Sequence, residues 1–258
     1  MRFNSYFDFA SGPNGESLAQ FARKPIYVPA IGRNTFTPLN RTHTTECQKL
    51  KSFQQTGRYN LSFIAASLRP ELARIIAERY LITGDWNLTK TQILTTNALQ
   101  CRSTSSAIRM ERELRQRLSA LTREQLVLIA QATAEDRTAI AWLSACKQIP
   151  FAFDFAAETL RDKLASQDPV LRHSDYETFF ENKRVAHPEL NDLAPSTKEK
   201  VRQILFRMLS EAGLVVPGEA LGKIQRPVIS PSVFQSIAAD TPELLAGFLV
   251  PDSEIPRQ

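Results

Sequence analysis

Residues 196–230, STKEKVRQILFRMLSEAGLVVPGEALGKIQRPVIS, decide the reading of this chain. Val201, Leu205, Met208, Leu209 and Ala212 recur at helical spacing and form one apolar face. Ser196 and Glu199 have capping-box spacing, which predicts a helix start at Ser196. Gly213 stands where a left-handed C′ residue ends a helix. Leu214 to Val216 and Ile224 to Ile229 then read as two short strands around a Pro217-Gly218 turn. Helix, glycine, strand, turn, strand is the closing half of a winged helix-turn-helix. Ser196, Thr197, Lys198 and Arg202 on the helix, with Lys223 and Arg226 beside the wing, are the first candidate contacts to DNA. The alternative is a winged helix that packs, or meets another protein.

The rest of the chain fits an all-α protein with that minor β wing. It has 258 residues, 43% of them hydrophobic and only 9 of them glycine, with helix formers dominating the middle. The net charge of +5 permits a nucleic-acid partner without requiring one. Cys47, Cys101 and Cys146 are odd in number and widely spaced, which points to reduced thiols and a cytoplasmic protein. They do not cluster with His43, His173 or His187, so no metal site is expected. No apolar run approaches the roughly 20 residues that cross a bilayer.

Residues 1–58 read as an irregular basic leader. Pro13, Pro25, Pro29 and Pro38 interrupt them, and basic residues outnumber acidic ones. Such a segment is either poorly packed or an arm that follows a phosphate backbone. A helical domain is expected over 59–165, and a winged-helix-like domain with a tail over 166–258. The first contains a long helix ending at Gly84, a short helix over Thr89 to Leu99, a polar turn, and a long helix from Ala107 to Leu121. That order makes a second helix-turn-helix-like unit. Thr122 and Gln125 form another capping box. Asp168-Pro169 reads as a loop, and a helix over Ser174 to Arg184 follows it.

The second candidate surface is the start of that long helix. Arg102, Ser103, Thr104 and Ser105 gather at its N-terminus, with Arg109 and Arg112 one to two turns further in. Free N–H groups and hydroxyls there suit a phosphate, and the arginines can reach a neighbouring one. Alternatively Ser103 is a plain N-cap, and Glu111 and Glu113 pair with the arginines along the helix. The phenylalanines Phe151, Phe153, Phe155, Phe179 and Phe180 lie at helical spacing without interleaved basic residues, as core residues do. No nucleotide-binding, metalloprotease or serine-hydrolase motif occurs, so neither an enzyme nor a cofactor is expected.

Several segments read together resemble the BrxA family of bacteriophage-exclusion (BREX) defence systems. They are IIAERYLITGDW (75–86), STSSAIRMERELRQRL (103–118), LTREQL (121–126), AIAWLSACKQIPFAFDFAAETLRDKL (139–164), DYETFFENK (175–183) and LAPSTKEKVRQILFRMLSEAGLV (193–215). Their order and spacing carry the likeness, over roughly the last three quarters of the chain and outside the leader. The resemblance implies an all-helical, non-catalytic protein with a NusB-like helical core. It also implies binding of double-stranded DNA through helix-turn-helix-like elements, beside a methyltransferase, a large ATPase and a phosphatase-like protein. It supplies no residue-level site motif.

Overall fold

The computed structural model describes residues 58–256, apart from Asn60, Ser62, Ile64, Ala65 and Glu219. The leader expected over 1–58 therefore lies outside the described residues, Arg58 excepted. The fold is mostly helical, with one small antiparallel sheet.

Three helices come first: α1 (Pro70–Thr83), α2 (Trp86–Thr95) and α3 (Thr104–Leu118). Pro70 opens α1 and Gly84 closes it at φ 65°, which a Cβ would disfavour. Asp85 caps α2 by accepting the N–H groups of Asn87 and Leu88, so α2 begins and ends earlier than the expected 89–99. Ser103 caps α3, accepting from Ser106 N–H at 3.3 Å. Next come α4 (Arg123–Gln131) and α5 (Ala134–Gln148). The Thr122–Gln125 capping box forms in both directions, at 3.3 and 3.1 Å.

After Ile149 the chain runs through α6 (Pro150–Asp154), a π-helical segment (Phe155–Leu160) and α7 (Arg161–Ala165). Strand β1 (Val170–Leu171), helix α8 (His173–Ala186), a 3-10 turn (Pro188–Leu190) and helix α9 (Pro195–Glu211) follow. Strands β2 (Val215–Val216) and β3 (Gly222–Ile224), helix α10 (Pro231–Asp240) and a 3-10 segment (Pro242–Phe248) complete the order. The sheet order is β1-β3-β2. Val170 lies opposite Lys223, and Val215 opposite Ile224.

Helix α3 likewise runs three residues earlier than the expected 107–121, and three further local expectations are corrected. Helix α9 starts at Pro195, not Ser196, and no side-chain cap forms. Proline presets φ and brings no N–H that needs a partner, so the Ser196–Glu199 box has no task. Glu199 turns instead to Arg202 and Gln203. The last strand is Gly222–Ile224 rather than 224–229, because Pro227 cannot donate to a ladder. Residues 170–171, expected in a loop, form the third strand.

One hydrophobic cluster runs from Tyr59 to Val250. Trp142 lies at its centre, fully buried, and donates Nε1–H to Gly247 O at 2.9 Å. Phe151, Phe153, Phe155, Phe179 and Phe180 are all buried, with Phe155 and Phe179 edge to face at 5.0 Å. The apolar face of α9 is buried at Val201, Ile204, Leu205, Met208 and Leu209. Tyr59 fastens the start of the described chain. Its hydroxyl donates to Asp154 at 2.5 Å, its N–H donates to Glu189 at 2.6 Å, and its ring stacks on His187. Burial and the Asp154 carboxylate both push the Tyr59 pKa up.

Gly222 makes the hairpin possible. Its φ is 126°, and a Cβ there would lie 2.5 Å from Val216 O. Gly222→Ala is expected to cost about 1–3 kcal/mol from backbone strain alone, read from urea unfolding. A loss near zero would show that the hairpin contributes little to the fold.

Candidate nucleic-acid interface

The helix α3 is amphipathic, and its charges are sorted by side. Glu111 is fully buried and accepts from Arg115 Nε at 2.7 Å. Glu113 accepts Nε and Nη2 of Arg117 at 3.1 and 2.9 Å. Both carboxylates on α3 are thus turned to the buried side and paired there, although Glu111 Oε2 has no hydrogen-bond partner among the described residues. Ser105, Arg109, Arg112, Gln116 and Ser119 form the opposite, exposed stripe at helical spacing, with Arg102, Ser103 and Thr104 exposed at its head. Among the described residues, Arg102, Arg109 and Arg112 make no ion pair. The hydroxyls of Ser103, Ser105 and Ser106 bond to one another around the cap. The stripe is therefore cationic without an acidic member. The expected helix pairing is real, but it falls on Arg115 and Arg117.

The α9 face is arranged differently. Ser196, Glu199, Lys200, Gln203, Arg207 and Ser210 are exposed and share one side. Thr197 and Lys198 are half-buried, and Lys198 Nζ sits 5.0 Å from the Phe180 ring centroid. Arg202 forks onto Glu199 at 2.8 and 2.9 Å and meets His173 Nδ1. That pairing lowers the Glu199 pKa and raises that of Arg202. Lys200, Gln203 and Arg207 lie opposite Val201, Leu205 and Met208.

Lys223 is exposed on β3, between buried Gly222 and Ile224. Arg226 lies elsewhere. Its neighbour Gln225 donates to Leu214 O and Gly213 O at 3.0 and 3.2 Å, at the C-terminal end of α9. Lys198 is in the first turn of that helix, about 22 Å away along its axis. Arg226 is paired with Glu254 at 3.2 Å. Lys198 and Arg226 thus lie towards opposite ends of α9.

No group of three or more His, Cys, Asp or Glu residues suited to a metal occurs among the described residues. Cys101 and Cys146 are free thiols, and burial pushes the Cys146 pKa well up. No helix among the described residues is long and apolar enough to cross a membrane.

The BrxA family model matches residues 57–241. The chain belongs to the BrxA family. Two relatives, each called BREX protein BrxA, are similar to it. The one from Escherichia coli O9:H4 (strain HS) is 29% identical over 143 residues, covering 55% of this chain and 67% of that protein. The one from Bacillus cereus (strain H3081.97) is 25% identical over 150 residues, covering 58% and 75%. An uncharacterized protein from Magnetospirillum magneticum shares the fold. Its crystal structure has a TM-score of 0.66 at 21% identity, covering 74% of this chain and 98% of its own.

The BrxA match spans α3, α8, α9 and the hairpin, so both candidate faces lie within it. Asp252 and Glu254 lie beyond it. They reach back to Arg161 and Arg226.

Proposed function

We propose that this chain acts in BREX phage exclusion as a non-enzymatic accessory protein of the cytoplasm that binds double-stranded DNA. The observation that carries the reading is the α3 stripe. Arg102, Arg109 and Arg112 are exposed, unpaired among the described residues, and on a stripe with no acidic member, since Glu113 turns to Arg117. Cations placed in that way release counterions from a phosphate backbone. The C-terminal part adds a winged helix. Helices α6 to α7, strand β1, helices α8 and α9, and strands β2 and β3 follow in that order, with β1 paired to β3. On this reading the winged unit starts at Pro150, earlier than 166, because its first helix is α6 to α7. Helix α9 is its recognition helix, with Lys200, Gln203 and Arg207 outward. The names of the relatives support BREX membership and the other BREX proteins as partners.

A second reading applies to the winged unit alone. Arg202 is held by Glu199 and Arg226 by Glu254, so two of its candidate contacts are already engaged, while Lys198, Lys200, Arg207 and Lys223 make no ion pair among the described residues. A surface partly engaged in this way also suits another defence subunit. The deciding measurement is a binding titration with labelled duplex DNA, single-stranded DNA and duplex RNA across salt concentration. Duplex-DNA binding that weakens steeply with salt is expected. Tighter binding to RNA would favour an RNA-binding role. No binding to any nucleic acid at low salt, with stable co-purification of another BREX protein, would favour the scaffold.

A further inference from the structure

The end of the described chain places two carboxylates on two arginines from separate elements. Asp252 Oδ1 meets Arg161 Nη1 at 2.6 Å, and Glu254 meets Arg226 Nη1 at 3.2 Å. The arginines flank a cleft of about 330 Å³, also lined by Asp162, Leu164, Leu249 and Pro251. Arg226 lines a second cleft of about 500 Å³ as well, where Glu135 and Glu211 lie. Glu211 is already engaged there, accepting the Leu68 N–H at 2.8 Å.

The fold positions the Arg161 guanidinium and the backbone beside Arg226, whose own guanidinium bonds only to Glu254 among the described residues. Arg161 Nε donates to Ala157 O at 3.1 Å, a carbonyl within the π-helical segment. Such segments recur at functional sites because they redirect the backbone groups of a helix. Arg226 follows Gln225, which is pinned to Leu214 and Gly213. The tail is held equally firmly. Leu249 and Val250 are buried, and Ile255 packs on the core. The carboxylates themselves are open to water, at 83% and 56% exposure. Exposed ion pairs contribute little to stability, so these two pairs are not what holds the tail in place. They neutralise two arginines that line one cleft.

We infer that Arg161 and Arg226 form a binding site for backbone phosphates of duplex DNA, and that Asp252 and Glu254 occupy it in competition. The inference rests on the DNA-binding reading above. The carboxylates stand where phosphate oxygens would be received. Displacing them exchanges one anion for another at the same donors, without unfolding the buried part of the tail.

The test compares the full chain with two double variants and one quadruple variant, using a labelled mixed-sequence duplex across salt concentration. In Asp252→Asn/Glu254→Gln the site is unmasked. Tighter binding at low salt is expected, with a log–log salt slope steeper by about 1.8 for two added phosphates. Adding Arg161→Gln and Arg226→Gln should return affinity and slope to those of the full chain. Glu124→Gln/Glu243→Gln removes the same net charge from exposed positions elsewhere and should leave the slope unchanged. An equal gain in that control would overturn the inference, since net charge alone would explain it. Unmasked and full chains binding alike would also overturn it, while leaving the DNA reading intact. No duplex binding by any of them would overturn both.

Discussion

Arg117→Ala is expected to destabilise the fold by about 3–5 kcal/mol, the range for removing one partner of a buried ion pair. The side chain is 2% exposed and makes four hydrogen bonds. Nε and Nη2 hold Glu113, Nη1 donates to Ser67 O at 2.8 Å, and Nη2 donates to Ala66 O at 2.8 Å. Burial lowers the Arg117 pKa, while Glu113 and then Glu211 act to raise it. Truncation would leave a mostly buried carboxylate and two carbonyls without donors. It would also release the segment before α1, whose Leu68 N–H is tied to Glu211 of α9. The segment thus joins α3 to α9 through Arg117. Pairing Arg117→Met with Glu113→Leu should recover much of the stability, because no charge is then stranded. Urea unfolding of the two single variants and the double variant measures this as a coupling energy. A cost below about 1 kcal/mol for Arg117→Ala would mean that water repairs the site.

The parts of this fold that could be read in advance are those written in adjacent residues. The Thr122–Gln125 box, Gly84 and Gly213 each state a helix boundary within one turn, and each forms. Ser196 misled because Pro195 offers a competing start one residue earlier, and proline needs no cap. Strand β1 was not legible for another reason. Its two residues pair with Gly222 and Lys223, and nothing local to Val170 and Leu171 announces partners some fifty positions away. The π-helical segment was equally hidden, since Phe155 to Leu160 keep a helical apolar pattern. The interface divides in the same way. That Glu111 and Glu113 pair along α3 follows from i,i+4 spacing, and so does the choice of Arg115 and Arg117. Lys200 and Arg207 were within reach of the sequence, because they lie opposite the apolar stripe of α9. The Arg226–Glu254 contact was not. Twenty-eight residues and a helix separate them, and only the folded tail brings them together.

The Arg109→Ala/Arg112→Ala variant should weaken duplex binding by about tenfold or more per residue removed. Charge-assisted hydrogen bonds are worth about 1.5–3 kcal/mol, and about 1.4 kcal/mol is a factor of ten. The log–log salt slope should become shallower by about two, one for each phosphate that the variant no longer neutralises. Stability should stay within about 0.5 kcal/mol, since both side chains are exposed and neither makes an ion pair among the described residues. The combination of the three readouts is what identifies the face. A structural role would move stability, and a diffuse effect of net charge would also follow Arg79→Ala, on α1 and likewise exposed. Lys200→Ala/Arg207→Ala asks the same question of α9. If α9 reads the duplex as a recognition helix, that pair should also weaken binding and lower the slope. If only the α3 pair acts, the α9 face is left for a protein partner, in keeping with its internal Glu199–Arg202 pairing. If affinity and slope survive both pairs in a protein that binds duplex DNA, neither helix face is the contact surface. The cations flanking the tail, Arg161 and Arg226, then become the next residues to replace.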